Sequence, residues 1–353
     1  MIYETLYPSS FASKRFPVSR QRRQCWRFAS FAANASGDYS GISVCDGFAG
    51  TGAVSKLFKQ RGAHIIANDI QTYSYITLKH IVENNAETRL DASRFDELNA
   101  LDGVDGFIYK HYCSGSGSGR MYYSDENGRK CDAIRQKIEE WRASGEISEN
   151  EYYWYLASLI ECIDKVANTA SVYAAFLKHL KKSAQKELVV EPLPIIDGRI
   201  GTVLHGDILE QMPNIDCDIL YLDPPYNSRQ YPAYYHLLET IARYDNPDIP
   251  NTVTGVRNYR NQKSDWCVKT KVAGVFDKLL SLSNCEYVFL SYNNEGLMSF
   301  DDIRDIMSKY GSYELKTTEY HRFRADKQDA RNHKADKTVE CLHCLKKKHK
   351  HHG

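Results

Sequence analysis

Along this chain, short continuous apolar runs flank a long middle section whose apolar residues recur at helical spacing. The first run, residues 42–46, is followed by a glycine-rich turn and a helix-spaced stretch to about Arg61, and the second, 63–69, closes on Asp69. Further runs at 202–208, 217–223 and 286–292 carry Asp207, Asp223 and Tyr292 near their ends. Short runs bounded by turn residues are buried strands, and strands alternating with helices form a doubly wound α/β sheet. Residues 312–323 and 337–345 alternate apolar and polar positions and predict a terminal hairpin.

The middle breaks this rhythm. Helical periodicity runs over about 132–143 and 149–180, after a Gly/Ser-rich loop at 114–119. We therefore expect a mostly helical insertion, and divide the chain into 1–85 (N-terminal segment and first half of the core), 86–197 (insertion), 198–345 (second half of the core with the hairpin) and a basic tail, 346–353. Helices are also expected over 234–243 and 300–309, and a basic amphipathic one within 7–36, with Trp26, Phe28 and Phe31 on its apolar face. The aromatic cluster Tyr152, Tyr153, Trp154 and Tyr155 reads as core.

A chain of 353 residues with 42% hydrophobic content can bury a sizeable core. Its 46 basic and 45 acidic residues give a net charge of +1, so any surface for a polyanion is local. Local candidates are Arg257, Arg260 and Lys263, interleaved with Tyr259 and Trp266 just beyond the fourth strand, against the plain alternative of a surface loop. Lys178, Lys181, Lys182 and Lys186 are weighed equally as phosphate contacts or a solvated face. Ten cysteines without a pairing framework read as reduced packing residues of a cytoplasmic protein, and the lone pair Cys341 and Cys344 is not expected to hold a metal. No stretch approaches the ~20 apolar residues of a membrane span, so no membrane partner is expected.

Two stretches carry chemistry. Strand, glycine turn, helix, strand and acid together make a nucleoside-binding βαβ unit, in which Asp69 can accept hydrogen bonds from ribose hydroxyls. Asp46 sits inside the turn, where a pyrophosphate would be repelled; this favours a nucleoside bearing a cationic group, as S-adenosylmethionine does. The turn lacks the spacing of a phosphate-gripping loop. The second stretch is Asp223-Pro224-Pro225-Tyr226 at the end of the fourth run. Two prolines donate no backbone N–H and stiffen the chain, so a carboxylate, bare carbonyls and a flat ring converge on one point, suiting a planar ligand with an exocyclic amine.

Phe48-Ala49-Gly50-Thr51-Gly52 followed far downstream by Asp223-Pro224-Pro225-Tyr226 resembles the adenine-specific DNA methyltransferases of the Dam-like alpha group. Residues 223–231, with Tyr235-His236-Leu237-Leu238-Glu239, look most like FokI-type modification methylases. The resemblance implies a Rossmann-like, seven-stranded S-adenosylmethionine-dependent fold with the insertion as target-recognition region. It implies that Asp46 and Gly50 approach the cofactor's methionine part, Asp69 its ribose and Asp207 its adenine, with Phe48, Ala49, Thr51, Gly52, Ile70 and Ile208 alongside. Ser13 and Lys14 would fill the N-terminal cofactor motif, although Ala12 stands where the family usually has glycine.

Asp223, Pro224, Pro225 and Tyr226 would be catalytic, acting on an adenine flipped from duplex DNA. Arg229, Arg257, Arg260, Lys263, Arg322, Arg324 and Lys334 would contact that DNA. The expected partners are duplex DNA with a specific short site, bound by a monomer, and a cognate restriction endonuclease. An RNA or cytosine-N4 methyltransferase on the same scaffold, or a catalytically silent DNA-binding protein, are the alternatives.

Overall fold

The structure is a computed structural model that describes residues 38–170, 172–321 and 337–348. Five candidate site residues, Ser13, Lys14, Arg322, Arg324 and Lys334, lie outside the described residues, as does the predicted helix within 7–36.

Strands β1 (Ser43–Asp46), β2 (His64–Asp69), β3 (Thr202–His205), β4 (Ile219–Leu222), β5 (Tyr287–Asn293), β6 (Gly311–His321) and β7 (Lys337–Lys347) form one sheet in the order β3-β2-β1-β4-β5-β7-β6. The first five are parallel; β7 runs antiparallel to β5 and pairs with β6 as a hairpin. Successive strand residues point to opposite faces, and both faces are apolar. Val44, Ile65, Ala67, Ile219, Tyr221 and Phe289 pack in one layer, Cys45, Leu220, Leu222, Val288 and Leu290 in the other. Helices α1 (Ala53–Lys59) and α2 (Thr72–Glu83) cover the first, and α10 (Val272–Leu282) and α11 (Phe300–Ser308) the second.

The insertion builds its own core. Its helices α3 (Arg94–Ala100), α4 (Phe107–Tyr112), α5 (Asp125–Ser144) and α6 (Glu149–Lys165) bury Phe95, Ile134, Trp141, Tyr155 and Leu159 together with Leu237, Leu238, Ile241 and Ala242. Those last four belong to α9 (His236–Arg243), which follows the short helix α8 (Tyr231–Tyr234), while α7 (Ile208–Gln211) opens directly after β3. The aromatic cluster is core: Tyr152, Trp154 and Tyr155 are buried, and Tyr153 packs edge-on against Tyr75.

Three expectations are corrected. The helix expected to reach residue 180 stops at Lys165, because the buried Asn168 side chain holds a turn there, donating to the carbonyls of Met121 and Leu177 and accepting from Lys181 N–H. A side-chain amide that satisfies turn backbone competes with helix continuation. Lys181, read as a phosphate candidate, instead gives its ammonium to the Thr169 carbonyl. The basic tail does not begin at 346: Lys346 and Lys347 belong to β7, and Lys347 donates to the Leu280 carbonyl at 2.8 Å, near the carbonyl end of α10. A lysine there complements the helix dipole.

Candidate active site and cofactor pocket

Strand order reverses between β1 and β4, and a doubly wound sheet binds its ligand in the crevice outside the strand ends at such a reversal. Asp46 ends β1 and lies level with Tyr221 of β4, so Asp223 sits just beyond it across the crevice. The glycine turn is pinned on both sides. Gly47 donates to the Tyr221 carbonyl at 2.9 Å and Ala49 to the Asn68 carbonyl at 3.0 Å. Gly50 and Gly52 adopt φ of +52° and +72°, left-handed values that disfavour other residues. A Cβ on Gly50 would meet nothing within 4 Å, so the glycine faces open space.

The acids are held precisely. Asp69 accepts from Gly50 N–H and Gln71 N–H, both at 2.8 Å, which ties β2 to the glycine turn. Asp46 uses Oδ2 for Ser55, accepting from its N–H at 3.1 Å and its hydroxyl at 2.8 Å. Its other oxygen, Oδ1, is buried without a hydrogen-bond partner among the described residues. A buried, unsatisfied carboxylate oxygen calls for a donor beyond the described residues. Burial pushes the Asp46 carboxyl up to about 7, with Asp223 and Asp69 adding to the rise, and burial pushes Asp69 up to about 6. Asp223 and Asp69 thus raise the cost of ionising Asp46, which a cationic ligand would offset. The residues present thus fit S-adenosylmethionine, whose ammonium and sulfonium are the cations such a cluster suits and whose ribose suits Asp69.

This electrostatic arrangement sets a pH dependence. A raised carboxyl is neutral at acid pH and offers no charge to a cation. The affinity for S-adenosylmethionine is therefore expected to fall as pH drops through about 7, where Asp46 protonates, and again through about 6, where Asp69 does. Calorimetric titration between pH 5.5 and 8.5 checks it; a flat profile would remove both acids from the pocket.

The other predicted residues fall into distinct places. Phe48 packs edge-on against Trp266 with ring centroids 5.1 Å apart, Ala49 is buried, Thr51 is half-buried, and Gly52 opens α1. Asp207 caps α7, accepting from Leu209 N–H at 2.9 Å. Ile208 is buried in the core beneath the turn, where a Cβ on Gly47 would come within 3.4 Å of it; packing is its visible role. The Ile70 carbonyl accepts from the Gln262 side chain.

Past β4, Asp223, Pro225 and Tyr226 are half-buried and Pro224 is buried. The Tyr226 ring leans on the sheet core, and its carbonyl accepts from Leu297 N–H at 3.0 Å. Arg229, Arg260 and Lys263 are exposed. Arg257 is a correction: it is 4% exposed, and its guanidinium forks onto Asp245 at 2.9 and 2.7 Å, an internal bidentate pair. Sequence reading gave no role to Ser55, Asn68, Glu239 and Gln262, Glu239 entering only as part of the FokI-type likeness. Only Ser55, at the first turn of a helix after an acid, carried any local signal. A cavity of about 680 Å³ opens beside the pocket, between the insertion and the ends of β2 and β3, with Ile70, Gly206, Arg142 and Arg243 in its wall.

A parallel sheet in this order, ending in an antiparallel hairpin, with a cationic-nucleoside pocket at the reversal and an Asp-Pro-Pro-Tyr segment across from it, defines an S-adenosylmethionine-dependent methyltransferase. A family model described as D12 class N6 adenine-specific DNA methyltransferase matches residues 34–341. The chain belongs to that family: it is a methyltransferase that uses S-adenosylmethionine and acts on adenine N6 of DNA. It is 47% identical over 330 residues to the type II methyltransferase M.NlaIII of Neisseria lactamica, covering 93% of this chain and 98% of the relative. The type II methyltransferase M.CviAII of Paramecium bursaria Chlorella virus 1 is 33% identical, with 87% and 91% covered. The FokI-type likeness holds as well: the type II methyltransferase M.FokI of Planomicrobium okeanokoites is 34% identical over 81% of this chain, which spans 46% of that longer relative.

Proposed function

We propose that this enzyme is the modification methylase of a restriction-modification system in the cytoplasm, binding a specific short site in duplex DNA as a monomer and flipping one adenine into the crevice at Asp223. A cognate endonuclease would cut the same site when unmethylated. The observation carrying this reading is the placement of Asp223 and Pro224 directly beyond β4, across the crevice from Asp46 and Asp69. The type II names of the relatives support the restriction-modification setting.

An adenine amine is a weak nucleophile because its lone pair is delocalised into the ring. In this reading the Asp223 carboxylate and the Pro224 carbonyl accept its two hydrogens, which localises the lone pair on N6. Bound S-adenosylmethionine supplies an electrophilic methyl on a sulfonium. The N6–C bond forms as the C–S bond breaks, and the proton that N6 then sheds leaves through Asp223. Tyr226 stacks on the flipped base. Arg229, Arg260 and Lys263 contact phosphates, joined by Arg322, Arg324 and Lys334, while Ser13 and Lys14 complete the cofactor pocket.

Incubation with tritiated S-adenosylmethionine and unmethylated duplex DNA should label N6-methyladenine. Sequencing that maps methylated adenines in DNA of expressing cells should then return one short motif. Label confined to RNA, or to cytosine, would refute the assignment, and methylation scattered without a motif would refute site specificity.

A further inference from the structure

Glu239 is a carboxylate 1% exposed, on a helix whose apolar face belongs to the insertion, yet the groups that donate hydrogen bonds to its carboxylate lie on other elements. It accepts from Thr72 N–H at 2.8 Å, the Thr72 hydroxyl at 2.6 Å and Tyr73 N–H at 3.2 Å, capping α2 directly after Asp69, Ile70 and Gln71. It also accepts from the Gln262 side-chain amide at 2.7 Å, and the same amide donates to the Ile70 carbonyl at 3.2 Å. One buried carboxylate and one buried amide thus fix the backbone that leaves β2 beside the cofactor pocket. Among the described residues, Arg243, 3.9 Å away, is its ion-pair partner.

Gln262 lies in a strap, residues 250–267, that crosses from the insertion to the catalytic segment. At its start Arg120 donates to the carbonyls of Pro250 and Thr252 at 3.0 and 2.8 Å, Tyr122 to Thr254 at 3.1 Å, and Tyr112 to Gly255 at 2.9 Å; all three donors belong to the insertion. At its far end Gln230, shortly after the Asp-Pro-Pro-Tyr segment, pairs its amide with both the N–H and the carbonyl of Ser264, at 2.9 and 3.1 Å. The exposed Arg260 and Lys263 flank Gln262 on the strap.

We propose that Glu239 and Gln262 are positioning residues forming a single joint, through which the strap locks the exit of β2 to the insertion and so couples the cofactor pocket to the DNA-binding side. Neither touches the reacting atoms. Coupling of this kind is a property of the pair, so the two residues should act as one in a double-mutant cycle.

The test measures S-adenosylmethionine affinity by calorimetry, and KM and kcat for methylation of duplex DNA carrying the mapped site, in wild type, Glu239→Gln, Gln262→Leu and the double variant. Both single variants are expected to weaken cofactor affinity about tenfold, to raise KM for DNA at least fivefold and to hold kcat within threefold, with the double variant no worse than the poorer single. Gln262→Leu leaves the cap on α2 in place, so it stays informative should Glu239→Gln fail to fold. The proposal is overturned if Gln262→Leu lowers thermal stability while cofactor affinity and KM for DNA stay within twofold, or if the two substitutions multiply. A wild type that labels no DNA would instead refute the functional assignment.

Discussion

Replacing Asp223 with alanine is expected to lower methyl transfer by about 10³-fold, within the range such proton-accepting groups contribute, while S-adenosylmethionine binds with nearly unchanged affinity. In the proposed mechanism the side chain serves the target amine, and its loss leaves the Pro224 carbonyl as one acceptor where the nitrogen needs two. The electrostatics sharpen the second half of the expectation. Asp223 is one of the charges that push the Asp46 carboxyl up, so removing it eases ionisation of Asp46 and should hold or slightly improve cofactor binding at neutral pH. Single-turnover methylation and calorimetry on the same preparation check both halves. Equal losses in the two would move Asp223 into the cofactor pocket and leave the amine without its principal acceptor.

Asp69→Ala should do the reverse. The carboxylate is the proposed acceptor for the ribose hydroxyls, and hydrogen bonds to a charged group contribute roughly 1.5–3 kcal/mol each. Losing two predicts a cofactor affinity weaker by about 10²- to 10⁴-fold, with kcat at saturating cofactor within threefold of wild type. The substitution also strips Gly50 N–H and Gln71 N–H of their shared acceptor, which loosens the glycine turn. Asp69→Asn keeps an acceptor without the charge and should fall between. Calorimetry with S-adenosylmethionine separates the three proteins. An alanine variant that binds cofactor normally but turns over slowly would place Asp69 in the chemistry rather than the pocket.

Residues whose position follows from their place on a strand were legible early. Asp46, Asp69, Asp207 and Asp223 each stand at or just past the end of an apolar run, and the parallel sheet brings those ends to one edge. Gly50 and Gly52 were legible for the same reason, since a strand-to-helix turn needs the left-handed backbone they adopt. The misreadings share a cause too. Arg257 looked like a phosphate contact because sequence shows its charge and hides Asp245, twelve positions away, which takes up both terminal guanidinium nitrogens. The helix beyond Lys165 was over-extended because apolar spacing persists where the Asn168 amide turns the chain.

The sequence by itself determined the alternation of strands and helices, the glycine turn with its acids, the rigid Asp-Pro-Pro-Tyr end and the presence of a helical insertion. Each of these is written in local periodicity or in residues whose backbone preferences act over a few positions. Only the tertiary structure decided that α9 belongs to the insertion's core and that Glu239 reaches back across 167 positions to Thr72. It alone made the 250–267 segment a strap pinned to three parts of the molecule. Such partners are chosen by the closing of loops on one another, and no local pattern in the chain encodes which buried acid will meet which amide.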